Sequence, residues 1–290
     1  MWGRWIVLLL VLGLGWGCSI KFAYNNLDRF VRWGISDYLQ MTPEQRRYFD
    51  AEFPKLHDWH RRTQLPEYAV FLDSLPPRLA AGIDLAELHA MEQTVQGWAD
   101  QVMGKALPMT AQILRRMNDA QVAEFPARLD ESNRDIADPA RQGDLRELQK
   151  RWARDVADGF KRVGGRMTSA QLQYVMARSV DYVPHGELVV EYRARWQADL
   201  LTLLRMHRQT SEFEQRFVAL AGSLEDYYGA ELSGVFSHNE KLSREIALWL
   251  LGHLTDAQRR RFERRMLELA ADFRELAGSP AQAMPLCRDC

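Results

Sequence analysis

Met41-Thr42-Pro43-Glu44-Gln45 is the stretch that decides how this chain folds. An apolar residue, a Thr, two further residues and a Gln make a capping box. The Thr oxygen accepts from the amide three residues on, and the Gln side chain reaches back to the amide of the Thr. Pro43 falls at the first helical position, where its missing N–H costs nothing. The pattern returns as Met167-Thr168-Ser169-Ala170-Gln171 and Leu254-Thr255-Asp256-Ala257-Gln258, and more loosely as Met117-Asn118-Asp119-Ala120-Gln121. Helix starts are therefore predicted near residues 42, 118, 168 and 255. Their uneven spacing argues against a solenoid of fixed period.

Outward from these starts, apolar residues return at helical spacing. Leu27, Phe30, Val31 and Ile35 are placed to share one face, with Tyr38 continuing it. A charged stretch from about Leu145 closes on Phe160 and Val163. Leu200, Leu203, Leu204 and His207 lie on one side of a segment predicted to run from about Gly186 to Ala221. Ile246, Trp249 and Leu250 repeat the pattern, as do Phe262, Met266 and Leu269. Pro76-Pro77, Asp138-Pro139, Gly164-Gly165 and Val183-Pro184-His185-Gly186 are predicted breaks, and Pro54 and Pro66 mark kinks or boundaries. Alternation of period two never persists, so no strand is predicted. The expected fold is all-α, a multi-helix bundle or extended helical array over residues 18–277, with a candidate subdivision near 164–166. The tryptophans at 33, 59, 98, 152, 196 and 249 are expected mostly in the core.

A chain of 290 residues can bury a sizeable core. A formal net charge of -1 supplies no excess of cations, and nucleic acid is not expected as a partner. The first 17 residues differ in kind. Arg4 is their one charge, and the run from Trp5 to Leu14 is almost wholly apolar, the pattern of a secretory signal. Polar chain resumes at Ser19 and Lys21, so the run falls short of the roughly 20 apolar residues of a spanning helix. Residues 278–290 lack periodicity and form a predicted flexible tail. It carries Cys287 and Cys290, which can close a local disulfide in an oxidising compartment.

Two resemblances bear on address and function. Gly17-Cys18 resembles the lipobox of bacterial lipoproteins, with Gly15 where that motif usually has Leu. The resemblance implies cleavage before Cys18 and acylation of its thiol and new amine, and hence a membrane partner held through lipid. Several acyl chains hold a protein far more firmly than one. Ser19, where an Asp is absent, is similar to lipoproteins sorted to the periplasmic face of the outer membrane, the expected location. More broadly, Cys18-Ser19, Tyr24-Asn25-Asn26-Leu27-Asp28, Asp37-Tyr38, Thr42-Pro43-Glu44-Gln45, Trp59-His60-Arg61-Arg62 and Leu65-Pro66-Glu67-Tyr68 resemble a family of uncharacterised helical lipoproteins of Gram-negative bacteria. The Leu-Thr-x-x-Gln pattern is also similar, over about five residues at each site, to the signature of Spy-type periplasmic chaperones. That likeness implies the class of a helical protein that cradles unfolded clients.

Candidate chemistry is sparse. His57 and His60 stand three apart in His57-Asp58-Trp59-His60-Arg61-Arg62 and would share a helix face, so they are candidate metal ligands, with Asp50 or Glu52 as a carboxylate. The competing reading packs Trp59 into the core, with its polar neighbours at the rim or pairing with acids. His89, His185, His207, His238 and His253 are scattered singly. No Gly-x-Ser-x-Gly elbow and no phosphate- or dinucleotide-cradling glycine loop occurs, and no cofactor is expected. The basic run Arg259-Arg260-Arg261 with Arg264-Arg265 is interleaved with Glu263 and Glu268, as on a solvated helix face. Two functions follow as expectations. One is a tethered, non-catalytic protein that binds an envelope partner or an unfolded client. The other is a metal- or acid-dependent hydrolase of cell-envelope material centred on His57 and His60.

The address is open to direct measurement. Intact mass spectrometry of the membrane-extracted protein should show loss of residues 1–17 and a gain of acyl chains, both absent from Cys18→Ala. An unmodified mass would remove the lipid tether and the outer-membrane address together.

Overall fold

The computed structural model describes residues 20–141 and 143–278; residues 1–17, Cys18, Cys287 and Cys290 lie outside them. The described residues are helical, with no strand among them. In order they form α1 (Ile20–Asn25), α2 (Leu27–Ser36), α3 (Pro43–Trp59), a π-helical turn (His60–Gln64), α4 (Leu65–Ala81), α5 (Leu85–Arg115) and α6 (Asp119–Arg141). There follow α7 (Leu145–Val163), α8 (Ser169–Arg178), α9 (Gly186–His207), α10 (Phe213–Gly222), α11 (Gly229–Gly252) and α12 (Asp256–Gly278).

The boxes close as expected and start α3, α6, α8 and α12. Thr42 Oγ1 accepts from the Gln45 amide at 3.2 Å while Gln45 Oε1 accepts from the Thr42 amide at 2.8 Å. The same exchange links Thr168 with Gln171, Thr255 with Gln258 and Asn118 with Gln121. Each Gln then has its Nε2 free for another element, and the boxes meet in pairs. Gln171 Nε2 donates to Gln258 Oε1 at 2.9 Å, and Gln258 Nε2 donates to Gln171 Oε1 at 2.8 Å. Gln171 also donates to the His253 carbonyl, and Gln258 to that of Arg166. In the other pair Gln121 Nε2 donates to Gln45 Oε1 at 2.9 Å and to the Gln40 carbonyl, while Gln45 Nε2 donates to the Ile113 carbonyl. The starts of α3 and α6 are thus fastened together, and so are those of α8 and α12.

Apolar side chains gather in several clusters strung along the array. The largest takes Phe49 and Phe53 of α3, Ile113 and Leu114 of α5, Phe125 and Leu129 of α6, Leu200 and Leu204 of α9, and Phe213 and Phe217 of α10. A second joins Tyr24 of α1, Leu65, Tyr68 and Leu72 of α4, Trp98 of α5, and Met266, Leu269 and Phe273 of α12. A third packs Ala153 of α7 and Val175 of α8 against Leu242, Ile246 and Leu250 of α11. Long helices link the clusters. The 31 residues of α5 span about 46 Å and carry Trp98 in one cluster and Ile113 in another.

Four local expectations need correction. Helix α4 runs through Pro76 and Pro77, because Leu65, Ala69 and Leu72 are buried against α12 and that burial offsets the lost backbone bonds. Helix α6 likewise continues past Asp138-Pro139 to Arg141. The segment from Gly186 to Ala221 is two helices, since a turn after His207 folds Phe213 and Phe217 back onto the cluster that Leu200 and Leu204 already line. On α2, Leu27, Val31 and Ile35 form the packed stripe, and Phe30 lies outside it. At the turn after α7, Gly165 has φ +85, and a side chain there would meet Arg261 of α12 at 3.0 Å.

The amide pairs carry a measurable cost. Gln171→Met should lower the unfolding free energy by about 3 kcal/mol, because it strands the Gln258 amide and the Thr168 N–H together. Gln121→Met, at the more exposed pair, should cost about 1 kcal/mol. Urea unfolding of Gln171→Met, Gln258→Met and the double variant should give a double cost at least about 1 kcal/mol below the sum. Strict additivity would mean that the two side chains do not work as a unit.

Candidate functional site

The junction of α3 and α4 places the residues singled out in the sequence. Pro66 has no N–H for the Arg62 carbonyl, and the helix widens before it: the Leu65 amide donates to the His60 carbonyl, one residue further back than in an α-helix. This turn sets which side chains face inward. His57, Arg61 and Gln64 are buried, whereas Trp59 is half-buried and faces an open cleft. The expectation of a core Trp59 is thus corrected, with His57 and Arg61 inside in its stead, while Asp58 and Arg62 keep to the surface as an ion pair.

Arg61, only 1% exposed, is the largest fully buried side chain. Its Nη1 donates to the Leu276 carbonyl at 2.8 Å, its Nη2 donates to Asn25 Oδ1 at 2.7 Å, and its guanidinium lies 5.0 Å from the centre of the Tyr24 ring. Leu276 belongs to the last turn of α12, whose carbonyls lack intrahelical donors and carry partial negative charge. The buried cation therefore caps a helix end, which is how it is tolerated away from water.

The two imidazoles meet on Tyr24, whose ring centre is 4.6 Å from that of His57 and 5.7 Å from that of His60. Tyr24 Oη and His60 Nδ1 share a hydrogen bond of 2.8 Å, and His60 Nε2 lies 3.4 Å from Tyr68 Oη. Burial holds the His60 pKa down at about 4, and the neighbouring His57 and Arg61 push the same way. Burial and then Arg61 also lower His57, whose Nε2 is buried with no hydrogen-bond partner among the described residues. Burial pushes the phenols of Tyr24 and Tyr68 up. Both imidazoles are neutral at pH 7 and both phenols protonated. Gln64 and Tyr68 complete this cluster from the same helical run, four and eight residues after His60, whereas Tyr24 reaches it by tertiary packing.

The carboxylates proposed as co-ligands lie elsewhere. Asp50 pairs with Arg32 at 3.3 Å and Glu52 with Lys55 at 2.7 Å; Asp58, not one of them, pairs with Arg62 at 2.9 Å. Among the described residues, no group of three or more His, Cys, Asp or Glu converges so as to hold a metal ion. The remaining histidines do not join the cluster. His185 packs on Tyr182 and Phe236, and His253 stacks on Trp249, which stacks in turn on Tyr174.

Beside the cluster is a cleft of about 410 Å³ between α3, α5 and Glu214 of α10. Leu56, Trp59, Pro108 and Met109 supply its apolar surface. Glu52, Lys55, Lys105 and Glu214 bring charges of both signs, and the Lys105 ammonium stands 5.7 Å from the centre of the Trp59 ring. Gln112 Nε2 donates to Glu214 Oε2 at 2.6 Å, and Arg116 covers the Tyr48 ring at 4.2 Å. The walls offer an aromatic platform, amides and paired charges. No histidine or cysteine is among the cleft residues.

The chain belongs to DUF6279, a family of unknown function. The DUF6279 match covers residues 37–233, including the cleft, the imidazole pair and three of the four capping boxes. Comparison with curated proteins and with solved structures returned no match. Tyr24 and Leu276, which complete the surroundings of His60 and Arg61 in this DUF6279 chain, lie outside the matched span.

The depressed His60 pKa fixes a pH dependence. In the unfolded chain His60 binds a proton near its ordinary 6.5, while in the folded chain it does so near 4. Its contribution to stability is complete above about 6.5 and is lost as pH falls from there to about 4, a change of about 3 kcal/mol. Urea unfolding at pH 7, 5.5 and 4 should show this loss in the wild type. His60→Gln, which cannot titrate, should show a loss smaller by most of that amount, and equal losses would remove the assignment.

Proposed function

We propose that this DUF6279 chain is a non-catalytic binding protein of the bacterial envelope, tethered to the outer membrane's periplasmic face through lipid on Cys18. In this reading its cleft takes a segment of another polypeptide, from an envelope partner or an unfolded client. The observation that carries the reading is the cleft itself. Leu56, Trp59, Pro108 and Met109 form an apolar surface, with Glu52, Lys55, Lys105 and Glu214 around it. An aromatic platform among charges of both signs suits a chain that offers side chains of mixed character and backbone amides. Glu52 and Lys55 are already paired, so their charges favour neither strongly acidic nor strongly basic ligands.

The alternative, a hydrolase of cell-envelope material, finds less support. Of its candidate imidazoles, His60 is held by Tyr24 and Tyr68 and His57 packs on the Tyr24 ring, and its candidate carboxylates are engaged with Arg32 and Lys55. The boxes that resemble those of Spy-type chaperones spend their glutamines on joining helices. That likeness therefore supports a helical scaffold more directly than it supports client binding.

The cleft is tested by suppression of light scattering from a chemically unfolded client protein, read alongside in-cell crosslinking from a photoreactive residue in place of Met109, on the cleft wall. Trp59→Ala should weaken client binding about tenfold, a loss of about 1.4 kcal/mol. Lys105→Glu should change the set of crosslinked partners without unfolding the protein. Binding unchanged in both variants would place the interaction elsewhere or remove it.

A further inference from the structure

The first two helices present aromatic side chains that the core does not use. Trp33 is 70% exposed, Phe30 52% and Phe22 44%. Phe30 and Trp33 are three residues apart on α2 and so stand together on one side of it, while Leu27, Val31 and Ile35 pack inward. Other exposed apolar residues, such as Val70, Leu85, Met103, Val180 and Met206, are aliphatic and dispersed over separate elements. A half-exposed Phe beside the most exposed Trp in the described chain is a different kind of surface.

We infer that Phe30 and Trp33 form a bilayer-contact face that seats α2 in the headgroup region of the membrane. The inference rests on the lipid tether proposed for Cys18. Cys18 is two residues before α1, at most about 7 Å of extended chain. From Ile20 to Trp33 a continuous helix would advance about 20 Å, so the face lies within reach of a bilayer that holds the acyl chains. Trp is the side chain that prefers the membrane–water boundary, where its ring is buried and its N–H stays hydrated. The local charges are of both signs, with Asp37 exposed four residues beyond Trp33. Lys21 is engaged by Asp272 and Glu275, and Arg32 by Asp28 and Asp50. Arg29, one position from Phe30 and four from Trp33, is exposed and available to an anionic headgroup. A face of this kind would fix the orientation of the domain on the membrane, which a lipid on a flexible linker cannot do.

The test uses the full chain extracted from membranes and reconstituted into vesicles of phosphatidylethanolamine and phosphatidylglycerol, with acyl chains brominated near the headgroup. Bromine quenches tryptophan only at close range, and Trp33→Phe removes the proposed reporter while keeping an aromatic ring. Quenching in the wild type that Trp33→Phe abolishes, with Trp33 shielded from aqueous iodide, is the expected result. Equal quenching in the two proteins, or iodide reaching Trp33, would overturn the contact. Trp33 shielded from both quenchers would overturn it as well, since protein rather than lipid would then cover the face. Intact mass reads the tether separately. Acylated protein with Trp33 unquenched keeps the tether and loses the face, whereas unacylated protein with Trp33 quenched does the reverse.

Discussion

A glutamine amide has one acceptor and one donor group, and at Gln171 and Gln258 both ends serve two elements at once. Each oxygen takes the N–H at its own helix start and the Nε2 of the opposite glutamine, and each Nε2 also holds a carbonyl beside the opposite start. A capping box by itself completes one helix start. Here the starts are completed in twos, so α12 cannot leave α8 without stranding buried amides. Such a demand matters most where apolar packing is divided among clusters, as it is in this array. Hydrophobic contact is non-directional, and a small cluster tolerates sliding that a saturated polar network does not.

The second constraint is Arg61. A guanidinium can be buried only where acceptors are already in place, and the end of α12 provides one in the Leu276 carbonyl. Its position follows from the widened turn before Pro66, which sends Arg61 and Gln64 inward. The same turn leaves Trp59 at the cleft. The interior cluster and the cleft wall are therefore two faces of one backbone irregularity. On the inner side His60 is held by tyrosine hydroxyls and His57 packs on the Tyr24 ring, while the outer side carries the aromatic and charged surface of the cleft.

The N-terminal helices show how amphipathic pattern and burial part company. Leu27, Val31 and Ile35 suffice to dock α2 on the largest cluster, and the stripe they make is too narrow to take in Phe30. Trp33 lies further round the helix and has no core to enter. Aromatic residues that spacing alone would count toward the interior thus end on the surface.

Helix starts, helical class and the absence of strands from the described residues were legible in the sequence, because capping and amphipathic periodicity act within four residues along the chain. The starts of α3, α6, α8 and α12 fall where Thr42, Asn118, Thr168 and Thr255 put them. Helix ends and breaks were less legible. Pro76-Pro77 is a breaker in isolation, yet it is carried inside α4 by packing on a helix nearly two hundred residues away. Which boxes pair, why Arg61 is inside and why His60 faces tyrosines were decided by the tertiary structure. The Arg61–Leu276 bond spans 215 residues, and its acceptor exists only once α12 has ended beside the α3–α4 junction. Local chemistry determined that these helices form, and the placement of distant helix ends determined which side chains they hide and which they present.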